Sequence, residues 1–180
     1  MKFTTKFISC CLPFIILLSA CNKTSVTTKQ SNKSSSATSM AVTLNSTTKL
    51  SFNNCFVAEA TANGSSQILI DANNITNNAV SDNGFEVDLF GSLDSLKAGQ
   101  VFPASSSFEQ LQSSELNYFV NDSTEYVSQP AQAIGSVTIT EVTSAEIKGT
   151  FSGNLYGPLD FDGNTLLYTA TNGSFTAKRD

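Results

Sequence analysis

The chain has 180 residues, four cysteines, no histidine and no tryptophan, and its 15 acidic residues against ten basic ones give a formal charge of −5. Without histidine it lacks the commonest general base and the commonest metal ligand, which excludes His-dependent triads, zinc hydrolases and haem ligation. The cations of its C-terminal part are few and scattered, which excludes nucleic acid as a partner, because phosphates need clustered Lys and Arg.

The N-terminus has the zones of an export signal: Lys2 and Lys6, then an apolar stretch from Phe7 to Leu18. That stretch is shorter than the roughly 20 residues a membrane-spanning helix needs. It ends in Leu18-Ser19-Ala20-Cys21, which resembles the lipobox of bacterial lipoproteins. The resemblance implies a signal peptide over 1–20, recognition by the signal peptidase through Leu18, Ser19 and Ala20, and a diacylglycerol thioether on Cys21. No other cofactor and no metal is expected. Each buried methylene contributes about 0.8 kcal/mol and two or more chains hold a protein stably, so the mature chain is expected on a membrane without spanning it. Asn22 stands where a retention aspartate would be, which implies the outer membrane. The absence of an acidic run after Cys21 leaves the periplasmic side and the cell surface both open. Cys10 and Cys11 fall in the signal and need no function.

Residues 21–40 are expected to be a disordered tether, since ten of the 19 residues from Asn22 to Met40 are Ser or Thr. As a random coil it holds the domain roughly 25 Å from the bilayer. Residues 41–180 have the size of one domain. With five basic and 15 acidic residues this part carries a formal charge of −10, which favours solubility and stand-off from an anionic surface.

Within the domain, apolar residues alternate rather than recur at helical spacing, which predicts strands. Ser46-Thr47-Thr48-Lys49 matches an S-x-x-K pattern, but no K-T-G accompanies it and the segment reads as a first strand. Asn53 to Ala58 reads as a strand holding Cys55, a buried and inert thiol without a partner. Gln67 to Asp71 reads as a strand buried on both faces. Phe85, Val87 and Leu89 alternate with Glu86 and Asp88. Ser92 to Gly99 predicts a short helix capped by Ser92, and Ser107 to Gln112 a second one or an irregular excursion. Leu116, Tyr118 and Val120 alternate next, then Val137 with Ile139, Ile147 with Phe151 around Gly149, and Phe175 with Ala177. Asn63-Gly64, Asn83-Gly84, Asp162-Gly163 and Asn172-Gly173 read as turns, the last two as hairpin turns with positive φ. The fold class is all-β: a single antiparallel β-sandwich, or alternatively a partly closed barrel, with at most one or two short helices.

Gly135-Ser136-Val137-Thr138-Ile139-Thr140, Ile147-Lys148-Gly149-Thr150-Phe151 and Thr171-Asn172-Gly173-Ser174-Phe175 resemble the closing strands of a family of small Bacteroidota lipoproteins of unknown function. That resemblance implies a lipid anchor and one β domain, and says nothing of activity.

Candidate chemistry is sparse. Asp160-Phe161-Asp162-Gly163-Asn164 puts glycine fourth and has no later glutamate, so it reads as a tight turn rather than a calcium loop. Glu86 with Asp88, and Glu141 with Glu146, are pairs that glycoside hydrolysis could use, but on alternating strands they read as solvated faces. Phe90 and Phe119 break the parity of their strands, and Tyr156 sits beside a Gly-Pro loop. These three are the candidate exposed platform for a ligand. The expected function is therefore a non-catalytic, monomeric binding module for a protein or glycan at the envelope. A fimbria-like assembly subunit is the first alternative and a carboxylate glycoside hydrolase the second.

Overall fold

The computed structural model describes residues 37–62, 65–104, 111–121, 123–128, 134–157 and 165–179. In them the chain forms β1 (Ser39–Leu44), β2 (Thr48–Phe52), β3 (Asn54–Ala62), β4 (Ser65–Thr76), β5 (Ala79–Phe90), β6 (Val101–Pro103), β7 (Ser114–Asn121), β8 (Thr124–Val127), β9 (Gly135–Val142), β10 (Glu146–Tyr156) and β11 (Leu166–Lys178). The fold is all-β. One layer runs β2-β1-β11-β10-β9-β6 and the other β3-β4-β5-β7-β8, with antiparallel neighbours throughout each. Single-residue pairings join the layers into one 11-stranded sheet, Lys178 beside Phe56, parallel, and Tyr156 beside Val127, and an isolated bridge sets Ala104 beside Ser114. The architecture is a sandwich partly closed at its corners.

The period-two pattern places the core. Ile68 and Ile70 of β4, Phe85, Val87 and Leu89 of β5, Leu116 and Tyr118 of β7, Val137 and Ile139 of β9, Ile147, Phe151 and Leu155 of β10, and Phe175 and Ala177 of β11 are all buried in one cluster. Rings meet across the layers, with Phe85 of β5 and Phe151 of β10 at 5.2 Å. Tyr168 of β11 stands edge-on to both Tyr118 and Tyr126, at 5.7 and 5.0 Å. Cys55 is buried in this core, and burial, followed by the charge of Asp71, pushes its thiol up to about 12.

Several elements differ from expectation. The first strand starts before Ala41: Met40 lies in β1 and is fully buried, and Thr38 Oγ1 accepts from the Cys55 amide at 3.4 Å. Ser46 and Thr47 lie in the β1–β2 turn, not in a strand, with positive φ at Asn45 and Ser46. Asn83-Gly84 lies inside β5, and the hairpin that joins β4 to β5 turns instead at Asn77-Asn78, with φ of 52° and 64°. Leu69 is only half-buried, so β4 is not covered equally on both faces. The predicted helix at Ser92–Gly99 is reduced to a 3-10 turn, Leu93–Ser95, in which the Ser92 side chain makes no cap and Ser95 Oγ donates to the Ser92 carbonyl at 2.8 Å. Gly99, with φ 85°, ends that excursion. Asn63-Gly64, Asp162-Gly163, residues 107–110 of the second predicted excursion and the Asp160–Asn164 segment lie outside the described residues.

The closing motif is also different. Asn172-Gly173 does not reverse the chain: β11 is continuous and pairs with β10 and with β1 on both sides of it. Gly173 faces Phe151 and Ala170 faces Gly153, so β11 carries one extra residue here, a bulge at which Asn172 takes φ 50°. An asparagine tolerates that conformation as well in a bulge as in a turn. Gly173 is required for space, since a Cβ there would come within 2.5 Å of the Phe151 ring. The relation is reciprocal: Phe175 faces Gly149, whose Cβ would come within 2.3 Å of its ring. Each strand thus contributes a Gly-x-Phe, and antiparallel register lays each ring over the other strand's glycine.

Candidate functional site

The inner faces of both layers are consumed by the core, so chemistry must lie on an outer face. The outer face of the five-stranded layer is unusual. Asp71 of β4, Glu86 and Asp88 of β5, Glu115 and Asn117 of β7 and Glu125 of β8 lie on it, with Asp71 opposite Glu86, Glu86 opposite Asn117 and Asp88 opposite Glu115. The expectation of a solvated Glu86–Asp88 face fails, because Asp88 and Asn117 are each only 5% exposed. Phe90 and Val127, on the same face by strand parity, are buried as well. The Asn117 Nδ2 donates to Glu86 Oε1 and to Asp88 Oδ2, both at 3.1 Å. Among the described residues, Asp88 Oδ1 and Asn117 Oδ1 are buried and find no hydrogen-bond partner. A buried polar group left unmet costs about 1–3 kcal/mol.

Burial dominates the titration of these acids, and the neighbours that add to it are other acids. Asp71 is pushed up to about 8 by burial, then by its hydrogen bond and charge interaction with Glu86. Asp88 is pushed up to about 9 by burial, then by the charges of Glu86, Glu115 and Asp71. Glu115 rises to about 7 through burial, Glu125 and Glu86, and Glu125 rises through burial and Glu86. Among the described residues no group of three such side chains is placed to hold a metal ion. The other candidate pair, Glu141 and Glu146, makes ion pairs with Lys148 at 3.0 and 2.9 Å beside the β9–β10 turn.

Next to the acids, a cleft of about 280 Å³ opens on the same face. Its floor is Gly84, where the missing side chain leaves the sheet bare between Asn73 and Phe119, the residues opposite it on β4 and β7. Half-buried Phe56 of β3 and Phe119 of β7 form its apolar walls, on strands about 14 Å apart at the usual spacing of neighbours. Asp71, Asn73, Ser81, Asp82 and Asn83 supply its polar rim. The rim is braced. Asn54 Nδ2 donates to Asn73 Oδ1 at 2.9 Å, and Ser81 Oγ donates to the Asn83 carbonyl at 2.9 Å and accepts from the Asn74 amide at 3.0 Å. The β4–β5 hairpin is tied to the β2–β3 connection, where Asn53 and Asn74 side chains bond the backbone of Ile75, Asn53 and Ser51 at 2.8–3.2 Å.

Of the residues proposed as a platform, Phe119 is in this cleft. Phe90 and Tyr156 lie on outer faces by parity but are buried, 4% and 2% exposed, and offer nothing to solvent. Leu18, Ser19, Ala20 and Cys21 lie outside the described residues. Sequence reasoning missed Phe56, although the parity argument that found Phe119 applies to it, since it alternates with buried Cys55 and Val57. Gly84 was hidden by its likeness to a turn signal. A second groove, about 330 Å³, crosses the other layer between Ser136, Thr138, Thr150, Ser152, Asn172 and Ser174. Its only aromatic neighbour, Phe151, is spent in the core. Compared with known proteins, the chain matches no family model, no curated protein and no solved structure.

Proposed function

We propose that the chain is a membrane-anchored envelope lipoprotein whose β domain binds a glycan in the Phe56–Gly84–Phe119 cleft. The observation that carries this reading is the cleft itself: two aromatic walls, an open floor and a fixed rim of amides, hydroxyl and carboxylates. Sugars present apolar faces and hydroxyl edges, which aromatic rings and such planar polar groups match. The cleft has room for about one sugar ring, so an oligosaccharide would seat one residue and run along the face. The lipobox, and closing strands that resemble those of small Bacteroidota lipoproteins, support Cys21 as the anchor, and Asn22 after it supports the outer membrane as the site.

Two alternatives fit the geometry less well. An assembly subunit that exchanges its terminal strand needs that strand at an edge, whereas β11 is paired on both sides by β1 and β10. A glycoside hydrolase needs two carboxyl groups held apart across a cleft, whereas Glu86 and Asp88 converge on one Asn117 amide and Glu141 and Glu146 on the Lys148 ammonium. The test is calorimetric titration of gluco-, manno-, xylo- and chito-oligosaccharides into the full-length chain. At least one should bind, without turnover, and Phe119→Ala should weaken it tenfold or more, about 1.4 kcal/mol. Binding indifferent to both Phe119→Ala and Phe56→Ala, or no binding to any member of the panel, would overturn the assignment.

A further inference from the structure

The two orphaned atoms on the acidic face, Asp88 Oδ1 and Asn117 Oδ1, belong to side chains that already share a hydrogen bond. Asn117 Nδ2 already donates to Asp88 Oδ2 at 3.1 Å, and the unmet atoms are the other oxygen of the same carboxyl and the oxygen of the same amide. Both are acceptors, and each is on a side chain 95% hidden from solvent. Two unmet acceptors on groups already joined through their other polar atoms are both satisfied by one shared hydrogen. We propose that Asp88 is held as a neutral carboxylic acid whose Oδ1–H donates to Asn117 Oδ1, closing a two-point acid–amide pair that locks β5 to β7 and opens when the proton leaves.

The surroundings favour a proton over any other occupant. From β4 the charged group facing Asp88 is Asp71, from its own strand Glu86, from β7 Glu115, and beyond it on β8 Glu125. The outer positions of β3 are Phe56, Ala58 and Ala60, which carry no charge. Ionised Asp88 would have three acids for neighbours, Glu86 among them within hydrogen-bonding reach, and the Asn117 amide hydrogen for compensation. The raised titration of Asp88 and Asp71 agrees with this reading but follows burial as much as neighbours. Loss of the proton leaves a buried charge, and the relief available is for β5 and β7 to part and admit water. The lock is therefore sensitive to alkaline pH. It stands whether or not the adjoining cleft takes a glycan.

The test is carbon-13 NMR of the full-length chain labelled at aspartate side-chain carboxyls, titrated from pH 3 to pH 10. The expected result is a carboxyl resonance still in the acid form at pH 7 that disappears in Asp88→Asn. Asparagine replaces the acid O–H by an N–H, so this variant should fold and should lose about one proton's share of the fall in stability between pH 5 and pH 9. Asn117→Ala removes the partner and should shift the Asp88 transition and lower the denaturation midpoint even at pH 5. Aspartates that all titrate near pH 4 in the wild-type chain would overturn the proposal without any variant. So would an Asp88→Asn chain with an unchanged pH slope, or an Asn117→Ala chain with an unmoved Asp88 transition.

Discussion

Gly149 and Gly173 show how much a missing side chain can decide. Each lies under an aromatic ring from the neighbouring strand, so a Cβ at either position drives into a buried phenylalanine. Gly173→Val should destabilise the domain by about 1–3 kcal/mol, the usual cost of overpacking. Phe175→Ala should cost about 3–5 kcal/mol, because it empties a buried aromatic position over a glycine that cannot fill it. Urea denaturation of the two variants reads both, and values within half a kcal/mol of wild type would contradict the seam. The alternation around Phe151 and Phe175 was legible in the sequence and put both rings in the core. The role of Asn172-Gly173 was not, because a bulge and a hairpin turn ask for the same residue types. Cys55 was legible too: it is buried in an apolar strand, and its thiol, pushed up to about 12, is protonated at physiological pH. It should resist a thiol reagent in the folded chain and react on unfolding, and fast native labelling would contradict its burial.

At the scale of elements, the face built by β4, β5, β7 and β8 sets how stability depends on pH. Asp71 and Asp88 have folded values of about 8 and 9, above the ordinary carboxylate range near 4. The folded state therefore binds more protons than the unfolded chain between these limits, and stability falls as pH rises. Their contribution is fully present below about pH 4 and is lost as pH passes through 8 to 9. Every tenfold gain in proton affinity on folding is worth about 1.4 kcal/mol at most. Hydration of this partly open face reduces it, so a loss of a few kcal/mol is expected from pH 5 to pH 9. Denaturation midpoints across that range check the sign, and rising stability would contradict it. Glu86 and Asp88 were visible in the sequence as the outward half of an alternating strand. Their burial was not, since it depends on which strands stand beside β5 once the register is set. Parity assigns a side chain to a face and leaves open whether that face is wet.

For the whole molecule, anchor and domain make separate claims. The proposed anchor is a lipid on Cys21, as the lipobox resemblance implies, and Cys21→Ser should abolish acyl labelling and leave unprocessed precursor; mature, membrane-bound protein from that variant would contradict the anchor. The all-β class and single core were legible because two-residue periodicity survives in nearly every strand. The cleft was only half legible, since Phe56, Asp71, Gly84 and Phe119 come from four strands and meet only once β3, β4, β5 and β7 take their register. Residue-resolved amide NMR of the labelled full-length chain detects that meeting, using whichever oligosaccharide of the panel gives the largest response. Shifts should concentrate at Phe56, Asn73, Gly84 and Phe119. Shifts confined to the hydroxyl-lined groove around Thr138, Thr150 and Ser174 on the other layer, or no shift with any sugar, would contradict it.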